Sequence, residues 1–223
     1  RLIQAGTIKR QKPLPPIREE EIPIELPQGW INIRFAEFAQ EIFTGPFGSV
    51  LHKSDYIENG VPLINPSHMV NDRIVADFSI SVSDEKADKL SSYKLSVGDI
   101  VISRRGEMGR CALVDEQADG WLCGTGSFFI RFDRRLNRRF ILILFKTRLI
   151  RDYLNGNSIG TTMTNLNHGI LNQMPILLPP EKEIPRILAK VDALMALCDE
   201  WEARLQAARH TQEQFALAAV ALS

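Results

Sequence analysis

Three patterns of apolar and polar positions divide the chain: a proline-broken start, a middle of short apolar runs, and a long periodic end. In the middle, Ile31, Ile33 and Phe35 alternate with Asn32 and Arg34, the period-2 pattern of a half-buried strand. Residues 61–64, 79–82, 100–103, 111–114 and 128–132 are further short strand segments. Gly60, Gly98-Asp99, Gly106, Gly109, Gly120, Gly124 and Gly126 punctuate them as turns. The period changes over residues 138–154, where Ile141, Leu144, Phe145, Leu149 and Tyr153 fall at helical spacing. A second short helix is predicted near residues 165–174, with Thr164 or Asn165 as its N-cap. Residues 27–178 thus read as one mixed α+β domain in which strands dominate.

The end of the chain is helical by a different signature. Ile184, Ile187, Val191, Leu194, Cys198, Trp201, Leu205, Ala208, Gln212, Phe215, Ala219 and Leu222 follow alternating steps of three and four, an a/d heptad stripe. Pro185 is tolerable only in a first helical turn, so residues 179–223 are predicted to hold one long helix starting near residues 182–184. About forty residues at 1.5 Å each make a rod of roughly 60 Å, too long to bury Trp201, Leu205 and Phe215 against itself. It needs a partner helix, upstream in a parent chain or in another subunit, a second copy included.

Residues 1–26 read as a tether, because Pro13, Pro15, Pro16 and Pro23 forbid a regular helix around the acidic run Glu19-Glu20-Glu21. Leu2 and Ile3 fit the last turn of an upstream helix stopped near Gly6. The chain opens on Arg1 rather than Met, which reads as a fragment of something longer.

Composition narrows the chemistry mainly by exclusion. No apolar run, residues 140–145 included, is long enough to span a bilayer. Cys111, Cys123 and Cys198 form no C-x-x-C pair and no metal-ligand spacing with the histidines, as expected of buried thiols in a reducing cytoplasm. Neither G-x-x-x-x-G-K-[ST] nor G-x-S-x-G occurs. Asn65-Pro66-Ser67-His68 falls short of an amino-methyltransferase tetrapeptide, lacking the second proline and the aromatic. Asp84-Glu85-Lys86 reads as a solvated turn or helix start, and His52 and His68 as surface or turn residues. A non-catalytic protein is the expectation.

Net charge is zero, 27 basic against 27 acidic residues, but its distribution is uneven. Arg104, Arg105, Arg110, Arg131, Arg134, Arg135, Arg138, Arg139, Lys146, Arg148 and Arg151 face only six acids between Ile100 and Asn155, leaving that stretch at +5. Arginine reads guanine edges and clamps phosphates with two parallel bonds, although a solvated helix and hairpin fit the same pattern. Residues 161–169 add short hydrogen-bonding side chains suited to base edges, to phosphates, or to capping a helix.

The order of several strings resembles the C-terminal half of a type I restriction–modification specificity subunit. They are Leu26-Pro27-Gln28-Gly29-Trp30, Thr44-Gly45-Pro46-Phe47-Gly48-Ser49-Val50-Leu51, Asp55-Tyr56 and Gly60-Val61-Pro62-Leu63-Ile64-Asn65. Val97-Gly98-Asp99-Ile100-Val101-Ile102-Ser103-Arg104-Arg105-Gly106 and Met174-Pro175-Ile176-Leu177-Leu178-Pro179-Pro180, leading into the heptad helix, complete the series. The tether string Lys12-Pro13-Leu14-Pro15-Pro16-Ile17 looks like the exit from that family's central helix. The resemblance implies a target-recognition domain reading one half of a split double-stranded DNA site, with helices that set the spacing. It also implies methyltransferase subunits clasping the assembly, a motor-nuclease subunit joining it, and a cytoplasmic location. S-adenosylmethionine, ATP and magnesium would then belong to those partners.

On this reading three loops are candidates for DNA contact. The first holds Thr44, Phe47, Ser49 and Lys53, and the second Ser103, Arg104, Arg105 and Arg110 around a turn that Gly106 and Gly109 permit. The third holds Thr161, Thr162, Asn165, Asn167 and His168. Turn chemistry and capping account for each loop equally well. Ile184, Ile187, Val191, Leu194, Cys198, Trp201, Leu205 and Phe215 are the candidates for helix docking. Two other readings fit: the recognition part of a single-chain restriction–methylation enzyme, and an assembly module that binds no DNA.

Overall fold

The computed structural model describes residues 14–22, 24–157 and 165–221, and the chain divides into two units between Leu178 and Pro179. The first unit begins with β1 (Ile31–Arg34), α1 (Phe35–Phe38), β2 (Glu41–Thr44), β3 (Tyr56–Ile57), β4 (Val61–Ile64), β5 (Met69–Val70) and β6 (Arg73–Ile74). It continues with β7 (Ser81–Val82), α2 (Asp84–Lys89), β8 (Ile100–Ser103), β9 (Cys111–Leu113), β10 (Leu122–Cys123) and β11 (Ser127–Arg131). It ends with α3 (Arg138–Lys146), α4 (Arg148–Asn157), α5 (His168–Gln173) and β12 (Pro175–Leu178). The second unit is α6 (Ile184–Ala221).

Three sheets organise the first unit: six strands in the order β2-β11-β8-β9-β6-β5, four in the order β10-β4-β7-β3, and the ribbon β1-β12. The unit is the strand-rich α+β domain expected, and the unbroken apolar strings Ile100-Val101-Ile102 and Phe128-Phe129-Ile130 explain its centre. Every one of these residues is buried, because β8 and β11 are neighbours covered on both faces. One face carries Val101 and Phe129 into a cluster with Ile64, Leu95, Val114 and Cys123. A second cluster forms under the smaller sheet from Leu63, Val82, Ala87, Leu90 and Leu122. Phe35, Phe38, Phe132 and Phe145 make a third, with ring centres 5.4–6.3 Å apart and mostly edge-on or tilted.

Four expectations are corrected. The strand at Ile31 ends at Arg34, and Phe35 opens α1 instead of completing the alternation. Its two ends also depart from the alternation: Ile31 is 55% exposed while Arg34 is buried at 4%. A guanidinium can take that place because every one of its donors is bonded, as described below. The predicted helix over 138–154 is two helices. Thr147 turns to extended geometry between them, its hydroxyl donating to the Leu144 carbonyl at 2.7 Å and its own carbonyl accepting from Arg151 N at 3.0 Å. Finally, α5 is capped by Asn167, whose side chain accepts from Ile170 N at 3.0 Å, while Asn165 pairs with Arg105 in a β-bridge. Thr164 lies outside the described residues.

Helix α6 starts at Ile184 with Pro185 in its first turn and continues without a break, a rod of about 57 Å at 1.5 Å per residue. Along it Leu194 is 49%, Trp201 67% and Leu205 56% exposed, and Cys198 is exposed as well. No helix among the described residues is long and apolar enough to cross a membrane.

Candidate nucleic-acid interface

The ends of β2 and β8, the start of β11 and the entrance to α5 meet at one place. Register brings them there: Phe128 lies opposite Thr44, Ser127 opposite Ser103, and Arg105 bridges to Asn165. The backbone of Arg104 is held on both sides, its N donating to Gly126 O at 2.9 Å and its O accepting from Leu166 N at 3.0 Å. Its guanidinium Nε donates to Leu166 O at 3.2 Å, and the guanidinium carbon lies 5.7 Å from the Phe128 ring centre and 6.0 Å from that of Phe47. Thr44 Oγ1 and His168 Nε2 share a hydrogen bond of 2.7 Å, and the imidazole lies tilted against Phe128 at 5.4 Å.

Charge here is tuned by burial. Partial burial, then the charge of Arg105, lowers the Arg104 guanidinium from its ordinary value; burial, then Arg104, lowers His168. His168 is therefore neutral at physiological pH, and the positive charge of the site resides on the arginines.

The loop bearing Phe47 is braced from behind. Any Cβ on Gly45 would lie 1.9 Å from the Gly124 carbonyl oxygen, and one on Gly124 would lie 2.3 Å from Asn65 Oδ1. Only glycines allow the strings Thr44-Gly45-Pro46-Phe47, Asn65-Pro66 and Gly124-Thr125-Gly126 to pack this closely. Phe47 is consequently presented on a rigid base and is 61% exposed.

The candidate residues do not all share this place. Thr44, Phe47, Arg104, Asn165, Asn167 and His168 converge, and Arg105 extends from the same segment, exposed and without a side-chain ion pair or hydrogen bond among the described residues. Ser103 is fully buried and donates its hydroxyl to the Arg105 carbonyl, so it shapes the turn and is closed to any ligand. Arg110 is committed elsewhere. It pairs with Glu107 at 2.6 Å, donates to the Pro66 carbonyl at 3.4 Å, and lines a cavity of about 510 Å³ with Asp72, Lys146 and Arg151. Ser49 and Lys53 sit on exposed turns without side-chain bonds among the described residues. Thr161 and Thr162 lie outside the described residues.

Much of the basic excess between Ile100 and Asn155 is spent internally. Arg131 pairs with Asp99 and Glu41, Arg135 with Asp133, Lys146 with Asp72, Arg148 with Asp152 and Arg151 with Glu107. Arg138 binds the carbonyls of Gly98, Phe132, Asp133 and Leu136. The unanticipated members of the site are Phe128, whose ring seats Arg104 and His168, and the Leu166 carbonyl. Ser127 Oγ and Asn165 Oδ1 are each buried without a hydrogen-bond partner among the described residues. No group of three or more His, Cys, Asp or Glu side chains able to hold a metal ion occurs among the described residues.

Comparison with known proteins gives one consistent result. Residues 36–208 match the model of the type I restriction modification DNA specificity domain. The specificity subunit of the Escherichia coli type I restriction enzyme EcoEI is 25% identical over 95% of this chain and 36% of that protein. That of EcoAI is 27% identical over 90% of the chain and 34% of the protein, so the chain spans well under half the length of these relatives. In structure it resembles the HsdS subunit from Thermoanaerobacter tengcongensis, with TM-score 0.56 and 23% identity over 81% of this chain and 45% of that one. It also resembles a chain of a type I R-M system solved for complex assembly and conformational transition, with TM-score 0.57 and 22% identity over 79% and 40%. These two likenesses speak for the fold, which is the same strand-rich domain with a long helix. The match over residues 36–208 settles the family: the chain belongs to the type I restriction modification DNA specificity domains.

Proposed function

We propose that this chain binds double-stranded DNA sequence-specifically, as the part of a type I specificity subunit that reads one half of a split target. The observation that carries the reading is the convergence of three separate loops on Arg104, beside the exposed Phe47 and Arg105, which has no side-chain partner among the described residues. Arginine forks suit guanine edges and phosphates, asparagine suits adenine, and a braced aromatic suits stacking against a base step. The chain itself is non-catalytic on this reading. Helix α6, through the stripe from Ile184, Ile187 and Val191 to Phe215, sets spacing and docks methyltransferase subunits, and a motor-restriction subunit joins that assembly in the cytoplasm. S-adenosylmethionine, ATP and Mg²⁺ are then held by those partners.

The test is to purify the parent protein with the methyltransferase subunit it assembles with and map the methylated adenines. A split motif, one half of which changes when residues 27–178 are exchanged for those of a relative, is the expected result. A methylation pattern indifferent to that exchange would refute DNA reading by this domain and favour a pure assembly module.

A further inference from the structure

Arg34 spends every donor it has. Nε donates to the Pro15 carbonyl at 3.0 Å and Nη2 to that of Pro16 at 2.9 Å. Nη1 and Nη2 reach the two oxygens of Glu21 at 2.6 and 3.0 Å, and Nη1 donates also to the Gln173 carbonyl. A guanidinium offers five N–H groups, and all five are used here, inside a protein surface that leaves the residue 4% exposed. Glu21 is drawn down to about pH 2 chiefly by this hydrogen bonding, and it accepts from Arg18 N as well.

The partners belong to three different stretches of chain. Pro15, Pro16 and Glu21 lie in the segment that enters the domain, Arg34 ends β1, and Gln173 ends α5. The opposite end of α5 carries Asn167 and His168, which stand at the candidate interface. One buried side chain therefore joins the entering segment to the helix that presents the recognition loop. Surface arginine–glutamate pairs do nothing of this kind, because their side chains can leave at little cost.

We infer that Arg34, with Glu21, is a positioning residue for target reading: it fixes the direction of the entering segment against α5, and thereby the distance and rotation at which this domain meets its half of the DNA. The inference rests on the proposed function, since a fixed direction matters only where two readers share a rigid spacing. It goes beyond that reading by assigning the geometry to a single clasp in the domain rather than to helix length alone.

The experiment uses the full-length subunit assembled with its methyltransferase partner. Duplexes carry both half-targets with the spacer varied by single base pairs, and methylation is read at each length. Glu21→Ala removes the two charge-assisted bonds of the clasp and leaves those to the Pro15 and Pro16 carbonyls, whereas Arg34→Met removes all of them; should the second fail to fold, the first carries the test. Trypsin cleavage after Arg18 reports release of the segment, whose undocked population should rise at least about tenfold when charge-assisted bonds of this kind are lost. The expected outcome is methylation spreading to spacers one base pair longer and shorter, about tenfold above wild type, with the bases read in each half unchanged. A spacer profile as sharp as wild type, alongside faster cleavage after Arg18, would overturn the inference. Lost base selectivity in this domain's half, in place of a broadened spacer profile, would overturn it too, since the clasp would then be supporting the fold. Wild-type complex that methylates no split target would instead remove the proposed function beneath it.

Discussion

The helix α5 has an arginine at each end, and the two are used in opposite ways. At the C-terminal end Arg34 donates to the Gln173 carbonyl, and every other N–H it owns is also bonded. Just ahead of the N-terminal end the Arg104 guanidinium makes one hydrogen bond among the described residues, to the Leu166 carbonyl, and lies against Phe128 and Phe47. A saturated guanidinium is a rivet; one with open donors beside an exposed ring is available to a ligand. Residue type does not distinguish them. The count of unspent donors does.

The largest effect that would test this contrast is on stability. Arg34→Met should cost about 3 kcal/mol, since it strands Glu21 and three backbone carbonyls, whereas Arg104→Ala should cost less than about 1 kcal/mol, measured by urea unfolding. Equal losses from the two would erase the distinction. DNA binding should invert the order. Arg104→Ala or Arg105→Ala should lose about 1–3 kcal/mol of affinity, and a phosphate contact would also flatten the salt slope by about one. Phe47→Ala should lose about 1 kcal/mol, read by the same titration, if its ring stacks on a base step. The smallest effect concerns acid. Because Glu21 is held at about 2 against an ordinary 4.5, its contribution is full above pH 4.5 and fades as pH falls through that interval. Glu21→Gln should remove that part of the acid sensitivity, and an unchanged unfolding profile between pH 4.5 and 2 would show the clasp to be weaker than its geometry.

How far these sites were legible differs for physical reasons. Ile100-Val101-Ile102 and the glycine-bounded loops around Thr44 and Arg104 announce a buried strand pair and its turns, because burial and turn geometry are local demands on composition. The a/d stripe announces α6 for the same reason. Arg34 could not be read in this way. It occupies the outward phase of an apolar alternation, and its burial depends on carbonyls contributed by Pro15, Pro16 and Gln173, which no spacing connects. Ser103 belongs by sequence to the loop around Gly106 and Gly109, yet it ends β8 opposite Ser127 and is fully buried. Arg110, Arg131 and Arg138 read as an electrostatic surface, yet each is bonded to a group distant in sequence: the Pro66 carbonyl, Asp99 and the Gly98 carbonyl.

The ribbon of β1 and β12 has a consequence for the order in which the domain can form. Ile31 pairs with Leu178 and Arg34 with Pro175, so the first strand of the unit waits for the last. Closing so long a loop is affordable only after the sheets between have removed most of its freedom. On a ribosome the larger sheet, complete by Arg131, can assemble while the entering segment is still undocked. Closure of this ribbon is thus the final event of folding and, by the same argument, the first to open when the domain is strained.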